Sequence, residues 1–205
     1  MKYVWTDAGD DPSWEVGDRH GINGYFFPME DAVTTTALVA EAERRGHAYG
    51  LYQGHNWHPG FTPAQLAQVC LDEYRRITKS STVLKKLRLQ VNMEQADPDY
   101  IATVFELIRA QLPAVGLSWS LMGMQGGWMS TAFVARIVFA KVRVVPESFW
   151  GVDGRMTGIY DTLALVRDLT SRGFPESLVS PMIDAKYASV IRGWDGYAFT
   201  MGRLP

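Results

Sequence analysis

The feature that most constrains the fold of this chain is a regular alternation of short apolar runs with longer amphipathic stretches. The short runs have the length of strands, are bounded by Gly, Pro or Asp, and cover residues 3–7, 24–29, 48–55, 87–94, 115–121, 142–147, 178–184 and 196–201. Strands that alternate with helical segments are typical of parallel sheets built from βαβ units. We therefore predict an α/β protein with eight parallel strands.

Several of the segments between these runs have helical periodicity. The clearest cover residues 31–45, 62–79, 97–113 and 157–172. Thr62 followed by Pro63 predicts a helix N-terminus, and Gly46 predicts a C-terminal stop. Residues 14–20 have room only for a stub of helix, and the link around residues 187–194 is too short for a full one.

No change in composition divides the chain, so we predict a single domain over residues 1–205. Eight strands in that length favour a compact (β/α)8 TIM barrel with some short or missing helices. The alternative is a doubly wound open sheet with fewer strands.

Composition and charge exclude several classes of partner. The chain is 47% hydrophobic and 20% charged, which is ordinary for a globular protein. A net charge of -2 and a pI near 6.1 argue against nucleic acid or an anionic membrane as a partner. There is no signal peptide and no apolar run of membrane-spanning length, so we expect synthesis in a cytoplasm.

The sequence predicts neither a cofactor nor a metal. The glycine-rich stretch 122–129 lacks the Lys-Ser/Thr of a phosphate loop and has no dinucleotide-binding spacing. His55 and His58 are candidates for zinc ligands, but no third ligand follows at a recognisable spacing. Cys70 is the only cysteine, lies in a helical pattern, and is expected to be a buried structural thiol.

Active sites of such barrels lie at the carboxyl ends of the strands. In the fourth predicted strand, Leu89, Val91 and Met93 alternate with polar residues that end at Glu94. If the apolar face meets the helices, Glu94 points into the mouth of the barrel and can act as a general acid. The alternatives are a glutamate paired with Lys186 or Arg143, or one that is simply solvated.

Glycoside hydrolysis usually needs a second carboxyl group. We retain Asp7 and Glu147 as candidates for this second catalytic carboxyl group, because each is the last residue of a predicted strand. Asp184 has a similar position but is more readily explained as a partner of Lys186. The residues predicted to contact substrate at the same strand ends are Asn92, His55, Trp57, Trp119, Asp184 and Trp150.

Four segments resemble the lysozyme-type muramidases of glycoside hydrolase family 25. They are the first strand ending in Asp7, the stretch from Trp14 to 21–26, the third strand with its approach at 45–52, and the closing strand at 194–200. The resemblance implies a TIM barrel that acts on bacterial cell-wall glycan. The closing residues 202–205 also resemble compact barrels in tail proteins of phages that infect actinobacteria.

The resemblance implies a D-x-E motif at the end of the fourth strand, with its Glu as the catalytic acid. Here the positions are Asn92, Met93 and Glu94, so the Glu is kept and the Asp is an amide. An amide carries no negative charge to stabilise an oxocarbenium-like transition state. Two expectations follow. One is a hydrolase in which Asp7 or Glu147 takes over; the other is a non-catalytic barrel in a phage tail that contacts host glycan or other tail subunits.

Overall fold

Parallel strands close into one barrel in the computed structural model, which describes residues 2–6, 14–19, 21–29, 32–54, 60–79, 87–93, 96–122, 129–147, 159–184 and 196–199. The strands are β1 (Lys2–Trp5), β2 (Gly24–Pro28), β3 (Ala48–Gly54), β4 (Leu87–Asn92), β5 (Gly116–Met122), β6 (Val142–Glu147), β7 (Met182–Asp184) and β8 (Gly196–Phe199). Each strand pairs in parallel with the next one along the chain, and β8 pairs with β1. The predicted barrel is confirmed, and the alternative of an open sheet is wrong.

Helices follow most of the strands. They are α1 (Trp14–Arg19), α2 (Ala32–Arg44), α3 (Pro63–Thr78), α4 (Pro98–Gln111), α5 (Thr131–Phe139) and α6 (Ile159–Ser171). Helix α1 has only six residues, as the sequence predicts for that stub. Helix α5 is an element that the sequence analysis does not name, although Ser130 followed by an apolar run is a usable N-cap signal.

The starts of three helices are fixed by side chains that cap them. Thr62 and Gln65 form a reciprocal capping box at α3, with Pro63 as its first residue. Asp97 accepts a hydrogen bond from the Tyr100 backbone N–H at 2.9 Å, and Ser130 accepts one from Phe133 at 3.2 Å. These caps satisfy backbone donors that the first turn of a helix leaves without partners.

Strand β7 is shorter than the sequence predicts. The predicted run covers residues 178–184, whereas β7 covers only Met182–Asp184. Glu176–Leu178 form a turn of 3-10 helix, and Val179 makes one isolated bridge to Val144. Pro181 interrupts the run because proline has no backbone N–H to donate to a neighbouring strand.

The sheet has an apolar outer face that meets the helices. Leu89 and Val91 of β4 are fully buried there, in one cluster with Val104 and Phe105 of α4 and Leu66 of α3. At about 25 cal/mol per Å² of apolar surface, burial of this layer is the main source of stability. Cys70 is fully buried in the same layer, which confirms the predicted structural thiol.

The barrel lumen is packed differently near β1 and β2 than near β4 and β5. Tyr3 lies over Gly24, where a Cβ added to the glycine would be 2.4 Å from the ring, and Phe26 lies over Gly50 with a corresponding distance of 2.3 Å. Both glycines are therefore needed for space. The rings of β1 and β2 fill this part of the lumen and leave the side formed by β4 and β5 to smaller, polar residues.

Candidate active site at the carboxyl ends of the strands

Polar side chains line one side of the barrel lumen, on β4 and β5. Gln90, Ser118 and Ser120 are fully buried, and Asn92 is half-buried at the end of β4. Strand register pairs Gln90 with Ser118 and Asn92 with Ser120, and the Ser118 hydroxyl donates to Gln90 Oε1 at 3.3 Å. A hydrogen-bonding wall thus extends from the middle of the lumen to its mouth.

Aromatic side chains of β1 and β3 face this polar wall. The rings of Trp5 and Tyr52 are stacked, with centroids 4.8 Å apart and planes at 8°. Tyr52 is also the register partner of Gln90, so the stack lies directly beside the polar residues. Aromatic and polar groups side by side are the usual lining of a site that binds sugars or other partly apolar ligands.

The stack holds the end of β1 in place. The Tyr52 hydroxyl donates to the Thr6 carbonyl oxygen at 3.0 Å. Thr6 in turn donates to the Phe26 carbonyl oxygen through both its backbone N–H, at 3.0 Å, and its hydroxyl, at 3.1 Å. Thr6, the residue immediately before Asp7, is therefore fixed by three hydrogen bonds to residues of β2 and β3.

Replacing Tyr52 with Phe removes only the hydroxyl that binds Thr6. We expect the free energy of unfolding to fall by about 1 kcal/mol, since a buried carbonyl loses its donor while the ring stack is kept. Urea unfolding of the Tyr52→Phe and native chains measures the difference. Tyr74→Phe is the matched control, because Tyr74 is also a buried residue and its hydroxyl makes no hydrogen bond to any other described residue. Equal losses in the two variants would contradict the assigned role.

Two donors in the lumen have no hydrogen-bond partner among the residues that the structure describes. They are Trp5 Nε1 and Gln90 Nε2, and their side chains are 7% and 0% exposed. A buried donor without a partner costs about 1–3 kcal/mol, so such groups are commonly satisfied by a ligand, an ordered water or another part of the chain. Both lie on the inner face, below the mouth.

The predicted alternation of β4 is confirmed for the residues described. Leu89, Val91 and Met93 are fully buried in the cluster that meets the helices, and Gln90 lies in the lumen. Glu94 itself lies outside the described residues. The inward-facing series through Gln90 and Asn92 is the structural basis for its predicted position.

Four of the other eight predicted site residues also lie outside the described part of the chain. They are Asp7, His55, Trp57 and Trp150. Glu147 and Asp184 are described by their backbone alone, as the last residues of β6 and β7. Register pairs Glu147 with Met122 and Met182, and Asp184 with Phe199, so both belong to the carboxyl end of the sheet.

Trp119 lies away from the lumen. It is fully buried on the outer face of β5, with its ring edge-on to Phe133 of α5 at 5.7 Å between centroids. The strand period of two explains this placement, because Trp119 lies between the inward-facing Ser118 and Ser120. Its position makes it a core residue, whereas the sequence prediction assigns it to substrate contact.

Neither a metal site nor a thiol nucleophile is found among the described residues. No group of three or more His, Cys, Asp or Glu side chains within them could hold a metal ion. Burial raises the pKa of the Cys70 thiol to about 12, so this group is not a nucleophile at neutral pH. None of the helices described is long and apolar enough to cross a membrane.

The stacked pair of Trp5 and Tyr52 is not among the site residues predicted from the sequence. The signal was present, because Tyr3 and Trp5 alternate with Val4 in the first strand and so share a face. What the sequence does not contain is the register that brings Trp5 beside a residue of β3, two strands away.

This chain resembles known proteins in structure and not in sequence. No protein-family model matches this chain, and no match was found among curated proteins. Among solved structures, active domain 2 of a Pyrococcus furiosus chitinase matches with a TM-score of 0.66 at 13% identity, over 97% of this chain and 83% of that one. An endo-β-N-acetylglucosaminidase from Cordyceps militaris matches with a TM-score of 0.63 at 11% identity, over 99% and 82%.

A third match is an intracellular xylanase from Thermoanaerobacterium saccharolyticum, with a TM-score of 0.61 at 14% identity, over 97% of this chain and 84% of that one. Barrels with other chemistry match as well, such as a thiamine phosphate pyrophosphorylase. At these identities the likeness shows the fold, which this chain shares with barrels of glycoside hydrolases.

Proposed function

We propose that the mouth of this barrel binds and hydrolyses a bacterial cell-wall glycan, with Glu94 as the general acid. The observation that carries the proposal is the inward-facing series on β4. Gln90 lies in the lumen, Asn92 ends the strand, and Glu94 is two residues further along. Residues two apart on a strand share a face, so a continuation of β4 by two residues would bring the Glu94 carboxyl to the mouth.

The partner carboxylate in this proposal is Asp7 or Glu147. Asp7 follows Thr6, whose backbone N–H and hydroxyl both donate to the Phe26 carbonyl oxygen. Glu147 ends β6, two residues after Val145, which belongs to the same buried cluster as Trp5 and Tyr52. A separation of about 5–5.5 Å between the two carboxyl groups would give a retaining enzyme, and about 6.5–9.5 Å an inverting one.

The groups that would hold the sugar are aromatic and amide side chains around this pair. We assign substrate contact to Asn92, His55, Trp57, Asp184 and Trp150, and add the described stack of Trp5 and Tyr52 as the floor of the site. The structural neighbours support a glycan ligand in general. The chitinase was solved with chito-oligosaccharides, and the endo-β-N-acetylglucosaminidase with fucosyl-N-acetylglucosamine-Asn.

The lysozyme-type muramidases of glycoside hydrolase family 25 remain the family that we propose for the chain. The endo-β-N-acetylglucosaminidase offers a useful parallel for Asn92. That enzyme was solved with its ligand after an Asp and a Glu, two residues apart, had been changed to Asn and Gln. The native pair here, Asn92 and Glu94, has the same spacing and carries one of those two changes, which fits a site that binds sugar with reduced turnover.

Restoring the carboxylate at position 92 should increase activity. We expect Asn92→Asp to hydrolyse cell-wall glycan about tenfold faster than the native chain, because a negative charge beside the reacting sugar stabilises the oxocarbenium-like transition state. Initial rates of reducing-sugar release measure the effect. Asn92→Ser is the control, since it removes the amide without adding charge, and a rate for Asn92→Asp no higher than for Asn92→Ser would contradict the assignment.

The substrate class is tested by comparing glycans. The native chain is incubated with purified cell-wall glycan, chitin and xylan, and new reducing ends are counted for each. The proposal expects the highest rate on the cell-wall glycan. A higher rate on chitin or xylan would still support a hydrolase, but it would contradict the proposed cell-wall substrate and identify the other glycan as the preferred one.

A second candidate function is a non-catalytic barrel in a phage tail, incorporated into the virion as the single domain 1–205. Asn92 favours it, because the amide replaces a charge that hydrolysis would use. This candidate expects the native chain to sediment with cell walls while releasing no reducing sugar. Its neighbours would be other tail subunits, and co-purification with tail particles after infection would identify them.

A further inference from the structure

The strand register allows positions on β4 and β6 to be compared by their height in the lumen. Asn92 pairs with Ser120 of β5, and Ser120 pairs with Val145 of β6. Because the strands of an eight-stranded barrel are tilted, a path at constant height advances about one residue at each step to the next strand. Two steps from Asn92 therefore lead to the position two residues beyond Val145, which is Glu147.

The stack of Trp5 and Tyr52 shows the same shift in this barrel. Trp5 of β1 pairs with Phe26 of β2, and Phe26 pairs with Gly50 of β3. The Trp5 ring nevertheless stacks on Tyr52, two residues beyond Gly50, at 4.8 Å between centroids. Lumen side chains two strands apart thus meet when the second lies two residues beyond the register position of the first. The positions at the ends of β4 and β6 are related in the same way.

The space between these two positions is lined by small residues. β5 lies between β4 and β6, and its buried lumen residues below the mouth are Ser118 and Ser120. The backbones of β4 and β6 are two strand spacings apart, or about 10 Å. Side chains that converge on the barrel axis end closer together than their backbones, so groups at positions 92 and 147 are within reach of each other. Position 147 also has the parity of Val145, which is fully buried with the aromatic residues of the lumen.

The other candidate for the second carboxyl group follows β1, on a different side of the lumen. β1 is three strands away from β4, whereas β6 is two strands away. The lumen between β1 and β4 also contains the large buried rings of Phe26 and Tyr52. Position 92 is therefore closer to the end of β6 than to the end of β1.

We propose that Glu147 supplies, from the end of β6, the negative charge that Asn92 does not carry. Glu147 is then the second carboxyl group of the site, in preference to Asp7. The inference rests on the proposed glycan hydrolysis and specifies one of its groups. The Glu147 carboxylate stabilises the positive charge that develops on the sugar ring as the glycosidic bond breaks. The role is electrostatic, and no bond-forming step is assigned to Glu147.

The closeness of the two positions is tested first, by a measurement that needs no activity. Asn92→Asp places a second carboxylate at the level of Glu147, so the two negative charges repel each other. At pH 7 we expect Asn92→Asp to increase the equilibrium constant for urea unfolding about fivefold in the native chain, and less than about twofold when Glu147→Gln is also present. Glu176→Gln, at an exposed residue of the 3-10 turn, is the control background and should leave the fivefold effect unchanged. Equal effects in all three backgrounds would overturn the proposal.

The role of the charge is tested by moving it from β6 to β4. Glu147→Gln should lower the initial rate of reducing-sugar release from cell-wall glycan about a hundredfold. Adding Asn92→Asp to Glu147→Gln should restore the rate at least about tenfold, because a negative charge returns to the same level of the mouth. Adding Asn92→Ser instead should restore nothing. Rescue by the charged residue alone distinguishes a missing charge from a misfolded site.

Three outcomes separate this assignment from the proposed function. If the native chain cleaves glycan and Glu147→Gln cleaves it equally fast, the hydrolase stands and the assignment of Glu147 is wrong. If Asn92→Asp restores the activity of Asp7→Asn but not that of Glu147→Gln, the charge comes from Asp7 and the proposal is overturned. A native chain that cleaves no glycan would overturn the proposed function, and the assignment of Glu147 with it.

Discussion

Replacing Glu94 with Gln should lower the rate of glycan cleavage by a factor of about 10²–10⁴. Gln has nearly the same shape and can still hydrogen-bond a sugar, but it has no acid proton to give to the leaving oxygen. The measurement is the initial rate of reducing-sugar release from purified cell-wall glycan.

A cell-wall binding assay distinguishes a variant that has lost only the catalytic acid from one whose binding site is damaged. Glu94→Gln should sediment with cell walls as well as the native chain does, because the stack of Trp5 and Tyr52 and the amide of Asn92 are unchanged. Glu176→Gln is the matched control, since Glu176 is an exposed residue of the 3-10 turn before β7. A native chain with activity that survives in Glu94→Gln would remove Glu94 from the mechanism.

The largest effect on stability is expected at Arg109. Its guanidinium donates to the carbonyl oxygens of Ala140 at 2.9 Å, Val115 at 2.7 Å and Pro113 at 3.0 Å. It thereby joins the turn before β5 to the turn before β6, and partial burial lowers its pKa from the ordinary arginine value without removing its charge. We expect Arg109→Met to lower the free energy of unfolding by about 3 kcal/mol, as several carbonyls lose a charged donor.

Arg136 provides the matched comparison one helix away. It binds Glu106 at 2.7 Å and Asp99 at 2.8 Å, but the Asp99 side chain is 94% exposed. Pairs of this kind contribute little, so Arg136→Met should cost about 1 kcal/mol or less. Thermal or urea unfolding of both variants gives the two values. Equal decreases in the free energy of unfolding would show that the hydrogen bonds from Arg109 to the three carbonyl oxygens contribute no more than the surface ion pairs of Arg136.

The order of elements could be predicted from the sequence because each signal is local. The strand that covers Val142–Glu147 has the predicted bounds, and helix α2 lies within the predicted 31–45. The failures also have local causes. Pro181 shortens β7, and α5 was not named because its capping residue, Ser130, follows a glycine-rich stretch that contains no periodic pattern.

The site was less predictable because it depends on which residues face the lumen. The alternation of β4 gave the correct faces for Leu89 and Gln90, since a single strand contains that information. The same alternation explains why the prediction for Trp119 fails. Successive residues of a strand face opposite sides of the sheet, so a position near the end of a strand does not by itself place a side chain in the lumen. The contact between Trp5 and Tyr52 depends on the stagger of a closed sheet, which no local pattern encodes.

The most direct test of the proposed hydrolase is cleavage of purified cell-wall glycan by the native chain in water enriched in heavy oxygen, followed by mass spectrometry of the products. We expect new reducing ends that carry the heavy oxygen, because hydrolysis adds water at the cleaved glycosidic carbon. Binding of the chain without any labelled reducing end, on wall preparations that a known muramidase cleaves, would contradict the proposal and leave a barrel that binds glycan without cutting it.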